Sequence, residues 1–463
     1  MLRKFILVPC AVLLLAGPAA AQKSSSAEPV WTVAAAGDAI ITRQVRCFES
    51  DPAFMALVKP IRAADAAVIN LELNLFRIWD FKGFPQAENG GNYEVAPPEV
   101  AADMKWMGFR LFNHANNHTT DYGIEGMMES WKLLDSLNLV WAGTGMDAGE
   151  AAQAKYLETP KGRFALIGMA TSFTPMSRAG ETRPDMRGRP GVNALRTTTV
   201  NQLSPPHMAE LRKLAQETGE KAPESGPVRF GGATFVPGPE SRRISSVNER
   251  DANRILRSVR NAAKQADFVI VYSHSHDIEG TGEDAPAPAH LREFFKSVID
   301  AGADVVFISG PHILRGIEIY RGKPIFYSIG NFFMQNETIE PMPADMYESF
   351  GLGNDALASD FYDARSKPDP KTGYPTAYHP ARQEVWESAL MVPTFRGHRA
   401  VEIRMYPVDL GFRVRRSQQG LPRLAEPELA KKIIDRLARM SQVYGTSIVY
   451  RGGIGVWTEE GSR

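Results

Sequence analysis

The chain has little cysteine, no excess of charge of either sign, and only one long apolar run. Cys10 and Cys47 are the two cysteines in 463 residues, too few for a disulfide framework or a cysteine-rich zinc site. Lys+Arg and Asp+Glu both number 53, so no general cationic field draws nucleic acid, and no nucleic-acid partner is expected. No internal repeat is evident. What is present, 43% hydrophobic and 23% charged residues, describes a globular protein able to bury a sizeable core. The length suits two or three domain-sized units, or one large elaborated α/β domain.

The single long apolar run is N-terminal. Met1-Leu2-Arg3-Lys4 is a basic start, residues 5–15 are apolar except for Pro9, and Ala19-Ala20-Ala21 supplies small residues after Gly17-Pro18. That pattern reads as a secretory signal over 1–21, too short for a span, followed by a polar linker over 22–30. The alternative is a retained N-terminal anchor. Cleavage removes Arg3 and Lys4 and no acid, which leaves the chain two charges negative with Cys47 as its sole cysteine. An exported protein, periplasmic or envelope-associated, with no internal disulfide and no remaining integral span is expected.

Beyond the linker, apolar runs at 31–36, 66–71, 164–169, 268–272, 305–309 and 325–328 read as buried strands. Between them, periodic faces over 100–107, 124–134, 255–263 and 291–299 read as helices, the first and last stopped by Gly108 and Gly302. Alternating strands and helices predict an α/β layered fold with its chemistry in strand-end loops. Residues 173–245 and 336–383 break the rhythm and read as long loop insertions, a lid or a mobile excursion. A hairpin over 388–405 and a helix over 427–444 follow, so the domain is expected at 31–415, with a helix and tail over 416–463 packing on it.

Metal-competent side chains cluster just after the strands: Gly37-Asp38, Asn70-Leu71-Glu72, Asn113 to His118, His274-Ser275-His276, Pro311-His312 and Gly330-Asn331. Five of the nine histidines (114, 118, 274, 276 and 312) fall in these loops. In a parallel sheet such loops share one edge, and carboxylate, amide and imidazole together suit a divalent ion doing hydrolysis. His114 and His118 have zinc-protease spacing, but Ala115 replaces the glutamate base and Asn116-Asn117 disfavours a helix, so this segment reads as a loop. Each piece also has a plain structural reading: Asp38 as a turn residue, Glu72 as a cap or surface acid, His274 and His276 as hydrogen-bonded core histidines. Gly143-Thr144-Gly145 reads mainly as a turn, and the arginines of 173–260 as solvated surface.

As an ordered set, Gly37-Asp38, Asn70-Leu71-Glu72, Ala115-Asn116-Asn117-His118 with Asp121-Tyr122-Gly123, Gly143-Thr144-Gly145, Pro311-His312 and Tyr327 to Phe332 resemble the CapA family of poly-γ-glutamate capsule synthesis proteins, relatives of calcineurin-like metallophosphoesterases. The resemblance covers about residues 31–335. It implies a four-layer α/β/β/α sandwich of metallophosphoesterase type. It also implies metal ligands at Asp38, Glu72, Asn117, His274 and His312, with His118 as the catalytic histidine. Three family features are altered: no Asp-x-His opening follows Asp38, His274-Ser275-His276 replaces His-Trp-Gly, and Gly310 replaces the first histidine of His-Pro-His. His276 is a replacement ligand in this reading.

The expected activity is metal-dependent hydrolysis of an amide or phosphoester in capsule, poly-γ-glutamate or envelope-polymer synthesis. It needs one or two divalent ions, with Mn, Zn, Fe and Mg all open. His118, Asn116 and Asp121 are the catalytic candidates, and His114, Asn331 and Arg315 the substrate-binding ones. The expected partners are an anionic envelope or capsule polymer and a membrane-bound polymer synthase. The rival expectation is a non-catalytic factor that binds and guides such a polymer.

Overall fold

The computed structural model describes residues 28–279 and 285–460. The expected signal peptide and most of the linker lie outside the described residues. Two sheets dominate. The first contains the parallel strands β1 (Val30–Ile40), β2 (Ala66–Asn70), β3 (Leu111–Asn113) and β4 (Val140–Ala142). The second contains the parallel strands β5 (Gly162–Ala170), β6 (Phe268–His274), β7 (Val305–Ser309) and β8 (Lys323–Ile329). β9 (Asn331–Met334) crosses from β8 to pair in parallel with β1. The hairpin β10 (Glu387–Arg396) and β11 (Arg399–Asp409) extends the first sheet antiparallel to β1.

Strand periodicity explains why both faces of each sheet are buried. Along β1, Val33 and Ala35 enter the core between the sheets, while Ala34 and Ala36 enter a second core against helices α1 (Pro52–Ala63) and α2 (Glu99–Met107). Along β5, Phe164 and Leu166 face the inter-sheet core, whereas Ala165 and Ile167 pack with α4 (Glu249–Ala262) and α5 (Ala289–Asp300). α3 (Gly123–Ser136) follows the Asn-His loop, and α6 (Pro427–Gln442) adds Ile433, Leu437 and Met440 to the inter-sheet core. The chain is thus α/β. Its strand ends belong to two sheets, whereas strand periodicity alone did not say how many sheets the strands form.

The two insertions are not loops. Residues 197–247 build a four-stranded sheet and the helix Pro205–Glu217 around a small core of Met208, Ala215 and Val228. Their alternation is weak because one sheet face is exposed and the core is small, so the apolar signal falls below what periodicity detects. Residues 336–383 hold two helices, Ala344–Glu348 and Ala358–Ser366, with 3₁₀ turns. The tail also differs from a plain helix and end: Val449–Arg451 and Ile454–Thr458 form a hairpin that joins the first sheet beside β11.

Candidate metal centre

Asp38 stands at an irregularity in both of its ladders, paired with Asn70 on one side and Asn331 on the other. Bulges of this kind re-aim a side chain. Gly37 is required there, since a Cβ would lie 1.7 Å from the Gly330 carbonyl oxygen. Asp38 Oδ1 accepts from Asn70 Nδ2 at 2.8 Å and Oδ2 from the Gly310 amide at 3.0 Å. Burial raises its pKa, but His274 and His312 outweigh burial and hold it well below the usual range.

Glu72 is opposite in character. It is fully buried, neither carboxylate oxygen has a hydrogen-bond partner, and its Oε1 lies 3.5 Å from His274 Nε2. Burial, then Asp38, Glu94 and Asp121, raise its pKa well above normal. His274 Nε2 faces His276 Nε2 at 3.0 Å, and the His276 and His312 rings lie 5.3 Å apart. Burial, then the neighbouring rings, lowers the pKa of His276, which keeps it neutral with a lone pair to offer. His312 donates through Nδ1 to Asn331 Oδ1 at 2.8 Å, and Asn331 is itself fixed by a bond to the Val385 carbonyl.

Two triads result, Asp38–Glu72–His274 and Glu72–His276–His312, each with ligand atoms within 4.8 Å of one another. They share Glu72. Orphaned oxygens on a buried carboxylate, set among neutral imidazoles, are what a divalent cation would satisfy, so these residues fit one. Asn117 Oδ1 is likewise buried without a partner, while its Nδ2 donates to the Gly90 carbonyl at 2.8 Å.

The Asn-His loop is braced from within. Asn116 Nδ2 donates to the Leu71 carbonyl at 2.7 Å and its Oδ1 accepts from the His118 amide at 3.1 Å. Asn116 thereby shapes the loop and does not line the pocket. His118 Nδ1 donates to Asp121 Oδ2 at 2.7 Å, and the Gly90 and Glu94 amides hold Asp121 at 2.9 and 2.8 Å. Burial disfavours a charged His118, yet Asp121 and Glu94 outweigh it and raise its pKa. A Cβ at Gly90 would sit 2.9 Å from His118 Nδ1, so the close approach needs glycine.

A cavity of about 310 Å³ opens above His118, His276 and His312. Three sequence candidates lie apart from it. His114 is buried beside Thr144, Nδ1 to Oγ1 at 3.2 Å, and burial pushes its pKa down to about 3. Arg315 donates to the Asp277 carbonyl at 2.8 Å, and Asn331 acts on His312 from below. The Gly-Thr-Gly stretch, read as a turn, instead forms a short strand at Thr144–Gly145 paired with Gly191–Val192, where Thr144 accepts from Trp131 Nε1 at 2.9 Å and serves packing.

Sequence reasoning missed the rest of the cavity. Asn92, Arg365, Tyr378 and His379 line it, and the His379 ring lies 5.0 Å from that of His312. Glu94 is buried behind His118, and burial pushes its pKa up to about 7 against the pull of His118. A charged residue inside the apolar pair Tyr93 and Val95 was the available signal for Glu94. His379 sits in an aperiodic stretch with no such signal.

The fold and donor set define an α/β protein with a candidate divalent-metal centre at converging strand ends. Residues 32–336 match the family model described as bacterial capsule synthesis protein PGA_cap. The chain belongs to this family. It is 38% identical over 434 residues to the uncharacterized protein y4sH of Sinorhizobium fredii, covering 92% of each chain. It is 25% identical to the PGA biosynthesis protein CapA of Bacillus subtilis, over 71% of each chain, and 23% identical to the capsule biosynthesis protein CapA of Bacillus anthracis, over 71% of this chain and 67% of that one. No helix among the described residues is long and apolar enough to cross a membrane.

Proposed function

We propose that this chain is an exported, metal-dependent hydrolase of capsule, poly-γ-glutamate or envelope-polymer synthesis, built as a four-layer α/β/β/α sandwich of metallophosphoesterase type over 31–415. The observation that carries the reading is Glu72, whose two buried, unpartnered oxygens stand among His274, His276 and His312. Asp38, Glu72, Asn117, His274, His276 and His312 would hold one or two divalent ions. Such an ion supplies Lewis acidity and brings the ionisation of water near neutral pH.

The chain's own groups supply the rest. Asp121 fixes the His118 ring through Nδ1 and favours its protonated form, and the ring, which lines the cavity, would protonate a leaving nitrogen or oxygen. Asn116 keeps the loop in register, and Asn331 aims His312. Burial of Asp38, Glu72 and His274 strengthens the electrostatic interactions of the centre. The substrate is an amide or phosphoester of an anionic polymer handed on by a membrane-bound synthase.

The test is metal content together with hydrolysis of poly-γ-glutamate and of a generic phosphodiester, for the native chain and His118→Ala. Retained metal with a loss of turnover of about 10²–10⁴ supports the assignment. Absent turnover alongside intact polymer binding would sink it in favour of a non-catalytic binding or export factor.

A further inference from the structure

A second concave site lies behind the wall of the metal cavity. A groove of about 350 Å³ runs between the segment 336–383 and the turn after β11, with Arg413, Arg415 and Arg416 on one side and Asp363 and Tyr374 on the other. It backs onto the cavity through one ion pair: Arg365 lines the cavity, and its partner Glu337 lines the groove.

The turn is held from both ends. Arg43 donates through Nη1 to the Ser417 carbonyl and through Nη2 to the Gln419 carbonyl, the latter at 2.9 Å. A Cβ at Gly420 would lie 2.1 Å from the Met334 carbonyl oxygen, so the turn sits directly on β9. Arg416 crosses the groove to Asp363, Nη2 to Oδ1 at 2.6 Å. Arg413 has a left-handed backbone, φ 59°, and its guanidinium stands over the Tyr374 ring at 5.4 Å. A residue other than glycine keeps that conformation only where its surroundings impose it, so the fold sets the place of Arg413.

Charge in the groove does not balance. Of the two carboxylates that line it, Asp363 is matched by Arg416 and Glu337 by Arg365. Asp369 and Asp409 do not line it and accept from amides of their own turns. Arg413 and Arg415 are exposed, and neither has an ion-pair partner among the described residues. Two guanidinium groups gathered at one concave site repel each other unless an anion enters.

We propose that this groove binds a phosphate group, separately from the metal centre. A phosphomonoester carries about two negative charges at neutral pH and three strong acceptor oxygens, which match the two free guanidinium groups. A single carboxylate would leave one of them unmatched. The phosphate arrives free in solution or on a lipid head group, and the chemistry at the groove is the same. The site needs no metal and does not rest on the hydrolytic reading.

The test is titration calorimetry on the full chain, stripped of metal and dialysed free of chelator, with inorganic pyrophosphate and with a γ-linked glutamate trimer. Pyrophosphate should bind, about tenfold more weakly in Arg413→Ala and in Arg415→Ala, as loss of a charged hydrogen bond predicts. Arg187→Ala, an exposed arginine outside the groove, should leave binding unchanged. Absent pyrophosphate binding, or binding indifferent to both groove variants, overturns the proposal. So does a glutamate trimer that binds as tightly and is weakened by the same substitutions, which would make the groove a carboxylate site. Sedimentation with vesicles of phosphatidic acid, against phosphatidylcholine, separates the two sources. Capture that Arg415→Ala reduces places the phosphate on a lipid, and pyrophosphate binding without such capture places it on a soluble molecule; either upholds the phosphate assignment.

Discussion

The two insertions share a composition and differ in fate. Residues 197–247 make their own sheet with a private core, and none of them lines the cavity. Residues 336–383 make no sheet. Their Ile339, Met342, Met346, Phe361 and Tyr362 share a core with Phe76, Tyr93, Val95 and Tyr122, which belong to the segments that hold Asp121 and Glu94. A segment with a core of its own can hang from the fold without altering it. One that borrows its core from the segments holding Asp121 and Glu94 is coupled to them, and so becomes part of the candidate site.

The sharpest way to break this contrast is Phe361→Ala. Phe361 is fully buried among Phe350, Tyr347 and Tyr362, and its truncation should cost about 3–5 kcal/mol. Urea unfolding measures the cost, and metal affinity should fall with it; retained stability would show that the second insertion does not share the core.

A pH effect comes next. His114 lies under the strand pair that joins Thr144–Gly145 to Gly191–Val192, at the root of the first insertion. The unfolded ring takes a proton near pH 6.5 and the folded ring only near 3. The unfolded state therefore binds more protons between these values, and stability falls as pH drops, by about 2 kcal/mol from pH 6.5 to 5. His114→Gln should flatten that slope in unfolding curves, and an unchanged slope would move the acid sensitivity elsewhere.

Asn331→Ser removes the acceptor that aims His312. Metal affinity should fall about 10–100-fold, read by competition with a chelator, beside a stability loss of about 1–3 kcal/mol because the buried Val385 carbonyl loses its donor. The smallest effect is expected from the largest change. Thr197 and Val247 are direct partners across the insertion sheet, so residues 198–246 can be replaced by a two-glycine turn. Metal stoichiometry should be unaltered, and its loss would mean that the first insertion also supports the site.

The candidate ligand set was legible because strand ends can be read locally. Asp38, Glu72, His274, His276 and His312 each follow an apolar run of strand length, and a parallel sheet brings such ends together however far apart they lie in sequence. The same logic overreached for His114. It occupies the strand-end loop, but its side chain turns toward Thr144 rather than the cavity, and alternation assigns a face only where the strand continues. Asn92, Arg365 and His379 were not legible. They stand on irregular backbone, where no period relates one residue to another, and Arg365 reaches Asn92 only through Asn336.

By itself the sequence determined the alternation of strands and helices, the positions of the strand ends, and hence which carboxylates and imidazoles could meet, because these depend on local periodicity and on residue type. Tertiary structure decided that the ends belong to two sheets, that Glu72 is shared between two triads, and which insertion closes over the centre. Those outcomes depend on where buried area is gained between segments hundreds of residues apart, and no local pattern records that.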